Sequence, residues 1–470
     1  MATQSKSVCI VGGGIAGLTA AYELHRQQQS GAGINFTLIE SSNRLGGIVE
    51  THREQGFIVE CGPDGWVTEK PWARELAEEL GLGDQLIGSN DAERVTYVLR
   101  NNQLLAMPEG MRMMVPTDLD SLSTTPLFPA EARAAYAAEL ANADALKRNA
   151  PQQDESVASF VQRHFGSEVL RLIGAPLLGG VFGGDTHQLS VRAVMMPFVK
   201  MEQEHGSLIA ALQARAKLNA GKPQQSIFTS LLQGTGALAE ALIATIPEQQ
   251  IRKQHRVLAI ARKANGWEVT SEQVSNPQRE TTHYDEVILA LPVHRASELL
   301  APISSEAAAL MQMPSSSATI VAFGFNEDQN VAWPKGFGFL APEGEGSQLL
   351  AATFCDNKFA NRVPPGGKLI RAYFGGNNAD LLSGPIAVPT AKAELEKILG
   401  PLPLPALTVQ RHWPQALPQY GVGHLDRMAQ LQQRIDKLGQ LHLLGNGYRG
   451  VGLPDLIRDA RATARTITQR

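Results

Sequence analysis

The chain has 470 residues, of which 43% are hydrophobic, which is enough for roughly two or three domains with sizeable cores. The formal net charge is −4 and there is no basic run or tail, so the composition gives no bulk attraction to nucleic acid or to an anionic membrane. The three cysteines, Cys9, Cys61 and Cys355, are scattered without metal-ligand spacing. We therefore expect no metal site and a reducing compartment.

The start of the chain holds one lysine before the first predicted strand and no apolar signal region. No later segment approaches about 18 uninterrupted apolar residues, the length that a membrane-spanning helix needs. We therefore expect a cytoplasmic protein that neither enters the secretory route nor spans a membrane.

A βαβ unit is predicted at the beginning of the chain. Residues Val8–Val11 form an apolar run typical of a buried strand in a parallel sheet. The glycines that follow, Gly12, Gly14 and Gly17, have G-x-G-x-x-G spacing. In this motif the first glycine allows the turn, the second lets a pyrophosphate approach the backbone, and the third lets the helix pack on the strand. The N–H groups at the helix start can then bind phosphate without a basic side chain.

The second strand of this unit is predicted from FTLIE, residues 36–40, which ends on Glu40. A carboxylate at this point can bind a ribose hydroxyl. The complete order of strand, glycines, helix, strand and acid is far more specific than an isolated glycine motif. It predicts a dinucleotide site, with a solvated strand end as the alternative for Glu40.

The middle of the chain alternates between helical and strand-rich regions. A helical pattern covers about residues 119–204, and HRVLAIARKANGWEVTSE predicts two strands joined at Asn265-Gly266, a pair that favours hairpin turns. An apolar strand follows at Val287–Leu291, and a strand-rich stretch covers about residues 301–436. This order predicts a nucleotide-binding domain assembled from separate segments.

A second glycine motif lies near the C-terminus, in LHLLGNGYRGVGLPDLI. Gly445, Gly447 and Gly450 repeat the earlier spacing before a helical pattern. Only about twenty residues follow Gly450, too few for the helix and returning strand of another βαβ unit. The motif is therefore not a second nucleotide-binding domain, and no other candidate site for NAD(P)H is present.

Two motifs resemble those of a known superfamily. SSNRLGG places Arg44, Gly46 and Gly47 just after the acid, and the C-terminal glycine motif precedes a helix after Pro454. Both are similar to motifs of the flavoprotein superfamily of amine oxidases, carotenoid desaturases and protoporphyrinogen oxidases. In that superfamily the first loop lies along the FAD diphosphate, and the second motif holds the ribityl and pyrimidine end.

Seven blocks narrow the resemblance to the protoporphyrinogen/coproporphyrinogen oxidase family of haem biosynthesis. They occur in the family's order and approximate spacing over nearly the whole chain, as GPDGWVTEKPWARELAEELGL, ERVTYVLRNNQLLAMPEG, LLGGVFGGDTHQLSVRAVMMPF, EQEHGSLIAAL, GFGFL, WPQALPQYGVGHLDRM and GYRGVGLPD. PQYGVGH, and GGVFGGD followed by LS, are not shared by amine oxidases or desaturases. The match is therefore specific beyond the nucleotide fold.

The resemblance implies an α/β and α+β fold with a Rossmann-like FAD-binding domain of the amine oxidase type. It implies an FAD-binding domain of residues 1–90, 228–300 and 437–470, a strand-rich substrate domain of 91–118, 205–227 and 301–436, and a helical insert of the membrane-associating type at 119–204. FAD is expected to be non-covalent, because no cysteine lies near the C-terminal motif. The expected FAD-binding residues are Gly12, Gly14, Ile15, Ala16, Gly17, Glu40, Ser41, Arg44, Gly46, Gly47, Gly62, Pro63, Asp64, Val257, Gly445 and Val451. Plain strand packing is the alternative for Val257.

The implied reaction removes six electrons from a reduced, apolar macrocycle that carries propionates, with hydride transfer to FAD. Arg94 is expected to clamp a propionate through its guanidinium fork. Lys70 corresponds to a basic position of some bacterial members, and an exposed charge is the alternative for both residues. Gly180 corresponds to a glycine near the reacting edge, where a side chain would block close approach.

The pocket wall is expected from GFGFL, with Phe337, Gly338 and Leu340 packing on the rings, although an ordinary strand core is a competing account. Tyr373 stands where family members often carry methionine or another bulky residue, and this departure leaves its role open. The remaining candidates are histidines without ligand spacing, which we expect to be structural: His164, His187, His205 and His424. His424 is expected in a local hydrogen-bond network.

The expected partners are a porphyrinogen and molecular oxygen, because the chain offers no NAD(P) site and oxygen is the family's usual acceptor. No nucleic acid partner is expected. Loose contact with the cytoplasmic membrane face, transfer of product to ferrochelatase and a homodimer are left open.

Three alternative functions remain open from the sequence. A flavin amine oxidase or carotenoid desaturase shares both glycine motifs. A non-enzymatic protein of the same fold, such as a prenylated-GTPase dissociation inhibitor, would bind lipid and carry no flavin. The substrate can also be coproporphyrinogen III, with four carboxylates in place of two.

Overall fold

The computed structural model describes residues 5–219, 221 and 225–469. The strands are β1 Lys6–Val11, β2 Ile34–Ile39, β3 Thr51–Glu54, β4 Phe57–Glu60, β5 Trp66–Val67, β6 Leu86–Gly88, β7 Thr96–Arg100, β8 Gln103–Ala106, β9 Met111–Arg112, β10 Val115–Pro116, β11 Phe228–Leu231, β12 Ile251–Arg252, β13 His255–Lys263, β14 Gly266–Gln273, β15 Arg279–Tyr284, β16 Glu286–Leu289, β17 Ser315–Phe325, β18 Gly338–Leu340, β19 Ala351–Phe354, β20 Lys368–Phe374, β21 Leu407–Pro418 and β22 Leu441–Leu443.

The α-helices lie between these strands and at the C-terminus. They are α1 Ile15–Gln29, α2 Trp72–Glu79, α3 Asp120–Thr124, α4 Ala130–Ala141, α5 Ala143–Arg148, α6 Val157–Val169, α7 Ala175–Phe182, α8 Val191–His205, α9 Leu208–Leu218, α10 Gly236–Thr245, α11 Val293–Leu300, α12 Ser305–Leu310, α13 Cys355–Lys358, α14 Asn377–Leu381, α15 Ala387–Leu399, α16 His424–Leu438 and α17 Leu453–Gln469. Short 3₁₀ turns cover Gly83–Gln85, Asp91–Glu93, Glu248–Gln250 and Glu327–Gln329.

A five-stranded parallel sheet in the order β12-β2-β1-β16-β22 forms the centre of the nucleotide-binding region. Alternate residues of β1 face opposite layers, because successive side chains of a strand point to opposite faces. Ile10 packs in the cluster that contains α1, α10 and α17. Val11 packs in the cluster that contains Trp267 of the β13-β14-β15 antiparallel sheet and Val293 of α11. Both faces are therefore buried, and the predicted Rossmann-like fold is confirmed.

The strand predictions hold with small shifts at their ends. β1 begins at Lys6, two residues before the predicted apolar run, and β16 ends at Leu289 rather than Leu291. The predicted hairpin at Asn265-Gly266 is confirmed as β13 and β14, which pair antiparallel. Gly266 has a φ of 122°, a conformation that favours glycine in this turn.

A seven-stranded sheet in the order β21-β17-β20-β19-β18-β7-β8 forms a second layer. Its strands pair antiparallel except for β18 and β7, which are parallel. Phe323, Phe339 and Phe354 pack from this sheet against Leu395 of α15. On the other face, Ala322 and Leu369 pack against Phe57 of β4. Further residues of the sheet line the cavity described below.

The helical pattern predicted for residues 119–204 is confirmed by helices α3 to α8, and α9 extends the same layer. The strand-rich stretch 301–436 contains β17 to β21 but also α12 and α16, which pack in the cluster of the parallel sheet and not on the seven-stranded sheet. The packing thus crosses the expected segment boundaries, and the division into three domains stays a prediction.

One helical stretch, Val157–Phe182, is long and apolar enough to cross a membrane by length and composition alone. It is interrupted by charged residues such as Arg163, and Gly166 breaks its helix with a φ of 81°. A π-helical turn follows at Leu170–Gly174. Buried side chains of the stretch, including Phe160, pack in the core of the helical layer. This packing gives it the character of a core segment.

Candidate active site

The glycines of the N-terminal turn are required by backbone crowding. Gly12 has a φ of 106°, and a Cβ there would lie 2.2 Å from the Ala290 carbonyl oxygen. A Cβ at Gly17 would lie 2.0 Å from the Gly12 oxygen. The first glycine therefore makes the turn and the third lets α1 pack against it, as the spacing predicts.

Gly14, the middle glycine of the motif, is less crowded than Gly12 and Gly17. The atom nearest to a Cβ on Gly14 would be 3.9 Å away, so this face of the turn is open. The backbone of Gly46 pairs with this turn, because its N–H donates to the Gly13 carbonyl at 2.8 Å. Among the described residues no side chain caps α1, whose first turn, with Ile15 and Ala16, carries no acidic residue. The arrangement leaves an open cradle suited to an anion.

The carboxylate of Glu40 folds onto the same turn. The Gly13 N–H donates to its Oε2 at 2.7 Å, and the Ser42 N–H donates to its Oε1 at 2.8 Å. The hydroxyl of Ser41 lies 3.3 Å from the same Oε1. Glu40 is thus positioned at the edge of the open cradle, where the sequence predicts a ribose-binding acid.

The strand that follows β12 runs beside this acid. The Glu40 N–H donates to the Arg252 carbonyl at 2.9 Å, and the His255 N–H donates to the Glu40 carbonyl at 2.9 Å. Val257 lies two residues further along β13, half-buried, next to a register shift in the pairing with β14. The tertiary structure therefore brings Val257 close to the acid from a distant part of the chain.

The guanidinium of Arg44 shapes its own loop. It donates to the carbonyls of Leu45 at 3.1 Å and Val49 at 3.3 Å, and also to the Gly47 carbonyl. It also forms an ion pair with Glu50 at 3.4 Å. Arg44 thereby fixes the loop whose Gly46 and Gly47 border the cradle.

The loop at Gly62, Pro63 and Asp64 continues the same surface. A Cβ on Gly62 would lie 1.9 Å from the Ile48 carbonyl oxygen, so this loop packs directly on the loop of Gly46 and Gly47. The Asp64 carboxylate forms an ion pair with Lys358 at 2.8 Å. Burial alone would raise the pKa of Asp64, but Lys358 and Arg371 lower it below its usual value.

The C-terminal motif contacts β21 and Tyr420, which follows that strand. Gly445 has a φ of 136°, and the Asn446 side-chain amide donates to the Ala416 carbonyl at 2.8 Å. The Gly450 N–H donates to the Tyr420 hydroxyl at 3.1 Å. Val451 is half-buried in the turn before α17. These bonds tie the motif to the end of β21.

A cavity of about 290 Å³ lies between α7 and the open face of the seven-stranded sheet. It is mostly apolar, and five predicted substrate residues line it: Gly180, Phe337, Gly338, Leu340 and Tyr373. Leu417 of β21, next to the residue that Asn446 binds, lines it as well. Within the described part of the chain, Lys358 is the one charged residue in the lining.

The two predicted glycines of the cavity lining, Gly180 and Gly338, differ in why the position holds glycine. A Cβ on Gly180 would meet no atom within 4 Å, so this glycine of α7 leaves open space. Gly338 has a φ of 141°, and a Cβ there would lie 1.9 Å from the Ala352 carbonyl oxygen. The fold thus requires Gly338, whereas it does not require Gly180.

The glycine loops form a continuous path to the cavity. Gly14 pairs with Gly46, the same loop packs on Gly62, and Asp64 binds Lys358 in the cavity lining. Buried donors along this path lack acceptors, since Nε and Nη1 of Arg371 have no hydrogen-bond partner in the described ranges. An open anion cradle and unpaired donors along one path fit a bound flavin dinucleotide.

The two predicted basic residues lie outside the cavity lining. Arg94 is exposed, two residues before Thr96, which lines the cavity. Its guanidinium has no ion pair or hydrogen bond among the residues that the structure describes. The ammonium of Lys70 instead binds the Asp455 carboxylate of α17 at 2.6 Å. The structure therefore brings Arg94 near the cavity and holds Lys70 at the C-terminal helix.

Sequence reasoning did not identify Lys358, Arg371 or Tyr420 as site residues. Lys358 and Arg371 lie in ordinary local sequence, and only long-range contacts give them significance, whereas Tyr420 lies in the PQYGVGH block. Tyr373, which was identified, places its hydroxyl 3.3 Å from the Thr353 hydroxyl, and burial raises its pKa.

The expected network at His424 is confirmed. Its ring stacks on Tyr420 with centroids 3.9 Å apart, and its Nε2 lies 3.1 Å from the Tyr448 carbonyl oxygen. Burial lowers the pKa of His424 to about 4, so the imidazole is neutral and its Nε2–H donates this bond. His424 therefore supports the C-terminal motif as a structural residue.

Comparison with known proteins gives consistent matches over nearly the whole chain. The model of the family described as flavin containing amine oxidoreductase matches residues 15–468. A coproporphyrinogen III oxidase of Bacillus subtilis is 29% identical over 98% of both sequences. A chloroplastic protoporphyrinogen oxidase 1 of Arabidopsis thaliana is 30% identical over 98% of this chain and 88% of that relative.

Solved structures agree with these matches. A crystal structure of a "putative protoporphyrinogen oxidase" from Exiguobacterium sp. 255-15 has a TM-score of 0.85 and 30% identity, and 99% of each chain is covered. A cyclohexylamine oxidase from Brevibacterium oxydans has a TM-score of 0.71 at 16% identity, covering 99% of each chain, which shows likeness of fold alone.

Proposed function

The chain belongs to the family of flavin-containing amine oxidoreductases and, within it, to the protoporphyrinogen and coproporphyrinogen oxidases, and on this premise we propose that it oxidises a porphyrinogen with bound FAD. The product is the porphyrin, after loss of six electrons as three hydrides and three protons. The observation that carries the proposal is the apolar cavity, which is linked to the N-terminal glycine loops through the Lys358–Asp64 ion pair and to the C-terminal motif through the bond from Asn446 to Ala416.

We propose that FAD is held without a covalent bond. Its diphosphate would lie in the cradle of Gly14 and Gly47, with Glu40 on the ribose and Val257 beside the adenine. The three cysteines are all buried, and none lies in the C-terminal motif, which supports non-covalent binding. When bound, FAD supplies the oxidising power as a hydride acceptor.

The cavity walls orient the macrocycle and exclude water. Phe337 and Leu340 are almost fully buried and offer apolar surface to the rings. Gly180 leaves space at which the reacting edge can approach closely. Arg94, exposed and unpaired in the described structure, is suited to clamp a carboxylate near the mouth of the cavity.

We propose molecular oxygen as the electron acceptor, with three molecules of hydrogen peroxide formed for each porphyrin. The single complete βαβ fingerprint supports this choice, because it is already assigned to FAD.

We place the enzyme in the cytoplasm on the basis of its composition. Contact with a membrane face, transfer to ferrochelatase and a homodimer stay predictions.

Protoporphyrinogen IX is the main substrate proposal, and coproporphyrinogen III is the second candidate. The second is favoured by the Bacillus subtilis relative, whose name is coproporphyrinogen III oxidase. The experiment compares both porphyrinogens in air by porphyrin fluorescence, with flavin-stripped protein as the control. Turnover of one or both supports the proposal, and the ratio of kcat/KM values decides between them. No turnover of either by flavin-loaded protein contradicts it.

A further inference from the structure

Arg371 is a buried cation at the boundary between the loop of Gly62 and Asp64 and the cavity. It lies on β20, its side chain is 2% exposed, and its Nη2 donates to the Gly62 carbonyl at 2.6 Å. Its Nη1 is 3.5 Å from the Asp64 carboxylate, and its guanidinium carbon is 5.2 Å from the ring centroid of Tyr373. Arg371 thus connects the loop of Gly62 and Asp64 to a residue of the cavity wall.

The hydrogen bonds of Arg371 are incomplete. Nη2 has an acceptor, whereas Nε and Nη1 are buried and have no hydrogen-bond partner within the described residues. Buried donors normally have acceptors, because an unpaired donor loses its bonds to water without replacement. By contrast the neighbouring Arg362, equally buried, donates to the carbonyls of Leu231 and Leu232 and to the Ser230 hydroxyl. The unpaired donors of Arg371 therefore indicate a missing acceptor at this boundary.

The charges around Arg371 do not balance. The surrounding group contains three cations and two carboxylates, all buried or half-buried, which are Lys358, Arg362, Arg371, Glu60 and Asp64. Burial raises the pKa of Glu60, and any protonation of this carboxyl would increase the positive excess. Two further carboxylates nearby are already paired, Glu50 with two arginines and Asp356 with Lys368. A net positive charge thus remains at the inner end of the cavity.

We propose that Arg371 is a charge-compensating residue for the flavin, offering its free N–H donors and its positive charge where the bound flavin meets the cavity. This inference rests on the proposed function, since it concerns the flavin of that same site. Each hydride taken from the substrate brings negative charge to the flavin. A fixed cation in a poorly solvated site stabilises that charge without reorganisation of solvent, and so favours the reduced state.

The test measures the flavin reduction potential of purified holoenzyme by slow enzymatic reduction with a reference dye, without any porphyrinogen. Arg371→Met removes the charge, and Arg371→Lys keeps it. We expect Arg371→Met to lower the equilibrium constant for two-electron reduction by about tenfold, which is a potential about 30 mV more negative. Arg371→Lys should restore most of this difference.

A variant that should shift the reduction potential in the opposite direction keeps the test decisive if Arg371→Met does not fold. Asp64→Asn replaces a carboxylate with an amide of nearly the same shape. Because a negative charge is lost, the flavin reduction potential should become more positive. Arg461→Met is the control, because it deletes a buried arginine that pairs with Glu23 and Glu79 on the α1–α17 face. It should lower the thermal stability and leave the potential unchanged.

The outcomes separate this inference from the proposed function. If the wild-type protein retains no flavin, the proposed function fails. If flavin is retained and neither Arg371→Met nor Asp64→Asn moves the potential, or the Arg461→Met control moves it equally, the charge-compensating role of Arg371 is wrong. Opposite shifts for the two site variants, with an unmoved control, establish it.

Discussion

Substitution of Gly180 tests function apart from folding, because we predict that substrate binding needs its small size, whereas the fold does not. No atom lies within 4 Å of where its Cβ would be, and it occupies an interior position of α7. Gly180→Ala should therefore keep the fold and add about 0.5–1 kcal/mol to the free energy of unfolding, as expected for a helical glycine.

Gly180→Leu adds four carbon atoms to a residue that lines the cavity of about 290 Å³, and we expect them to occupy part of the space for the macrocycle. The macrocycle would then be displaced from the flavin, and a displacement of roughly 1 Å costs about 100-fold in rate. We expect kcat/KM to fall by about 100-fold or more, equivalent to about 2.7 kcal/mol. Porphyrin fluorescence measures the rate, and thermal unfolding of the holoenzyme measures stability.

Gly338→Ala is the matched contrast in the same cavity. Its φ of 141° and the Ala352 oxygen 1.9 Å from the added Cβ mean that this change must distort the sheet. It should lower stability before it alters the chemistry. Near-normal kcat/KM for Gly180→Leu, within about twofold of the wild type, would refute the placement of the reacting edge at Gly180.

Four other outcomes follow from the site and the helical layer. Glu40→Ala should weaken FAD binding by about 1–3 kcal/mol because the buried Gly13 N–H loses its acceptor, and unchanged flavin occupancy in folded protein would contradict the assignment. Arg94→Ala should raise KM more than it lowers kcat, and identical steady-state kinetics would exclude a carboxylate clamp. Acid precipitation should release the flavin into the supernatant, whereas a yellow pellet would indicate a covalent bond. Burial alone would lower the pKa of His164, but Glu139 and Glu202 together raise it above its usual value. The protonated imidazole should therefore stabilise the folded protein fully below about pH 6.5, and this contribution should be lost as the pH rises through the raised pKa. The melting temperature against pH should therefore be flatter above pH 6.5 for His164→Gln, and parallel curves would show that the imidazolium contributes nothing.

The nucleotide-binding half of the site could be predicted from the sequence because its determinants are local. Gly12 makes the turn with a φ of 106°, Gly17 is needed by a contact with Gly12 in the same strand-turn-helix unit, and Glu40 follows the next strand directly. The apolar runs of β1 and β16 likewise indicate burial on both faces without knowledge of their partners.

The local sequence pattern did not reveal which charged side chains would form ion pairs. Lys70 shows this most clearly, since its partner Asp455 lies 385 residues further along the chain. A lysine in an exposed-looking loop has the same local signature whether it binds substrate or a carboxylate on a distant helix. The resemblance suggested the first, and the structure shows the second contact.

The sequence by itself determined the glycine turns, the buried strands and a dinucleotide site, because these depend on residues close together in the chain, and the resemblance to a flavoprotein family indicated FAD. Only the tertiary structure decided that α7 and the seven-stranded sheet enclose a cavity and that Lys358, Asp64 and Arg371 meet at its inner end. Long-range electrostatic contacts and cavity shape arise from the packing of separate segments. Neither leaves a periodic pattern in any one of those segments.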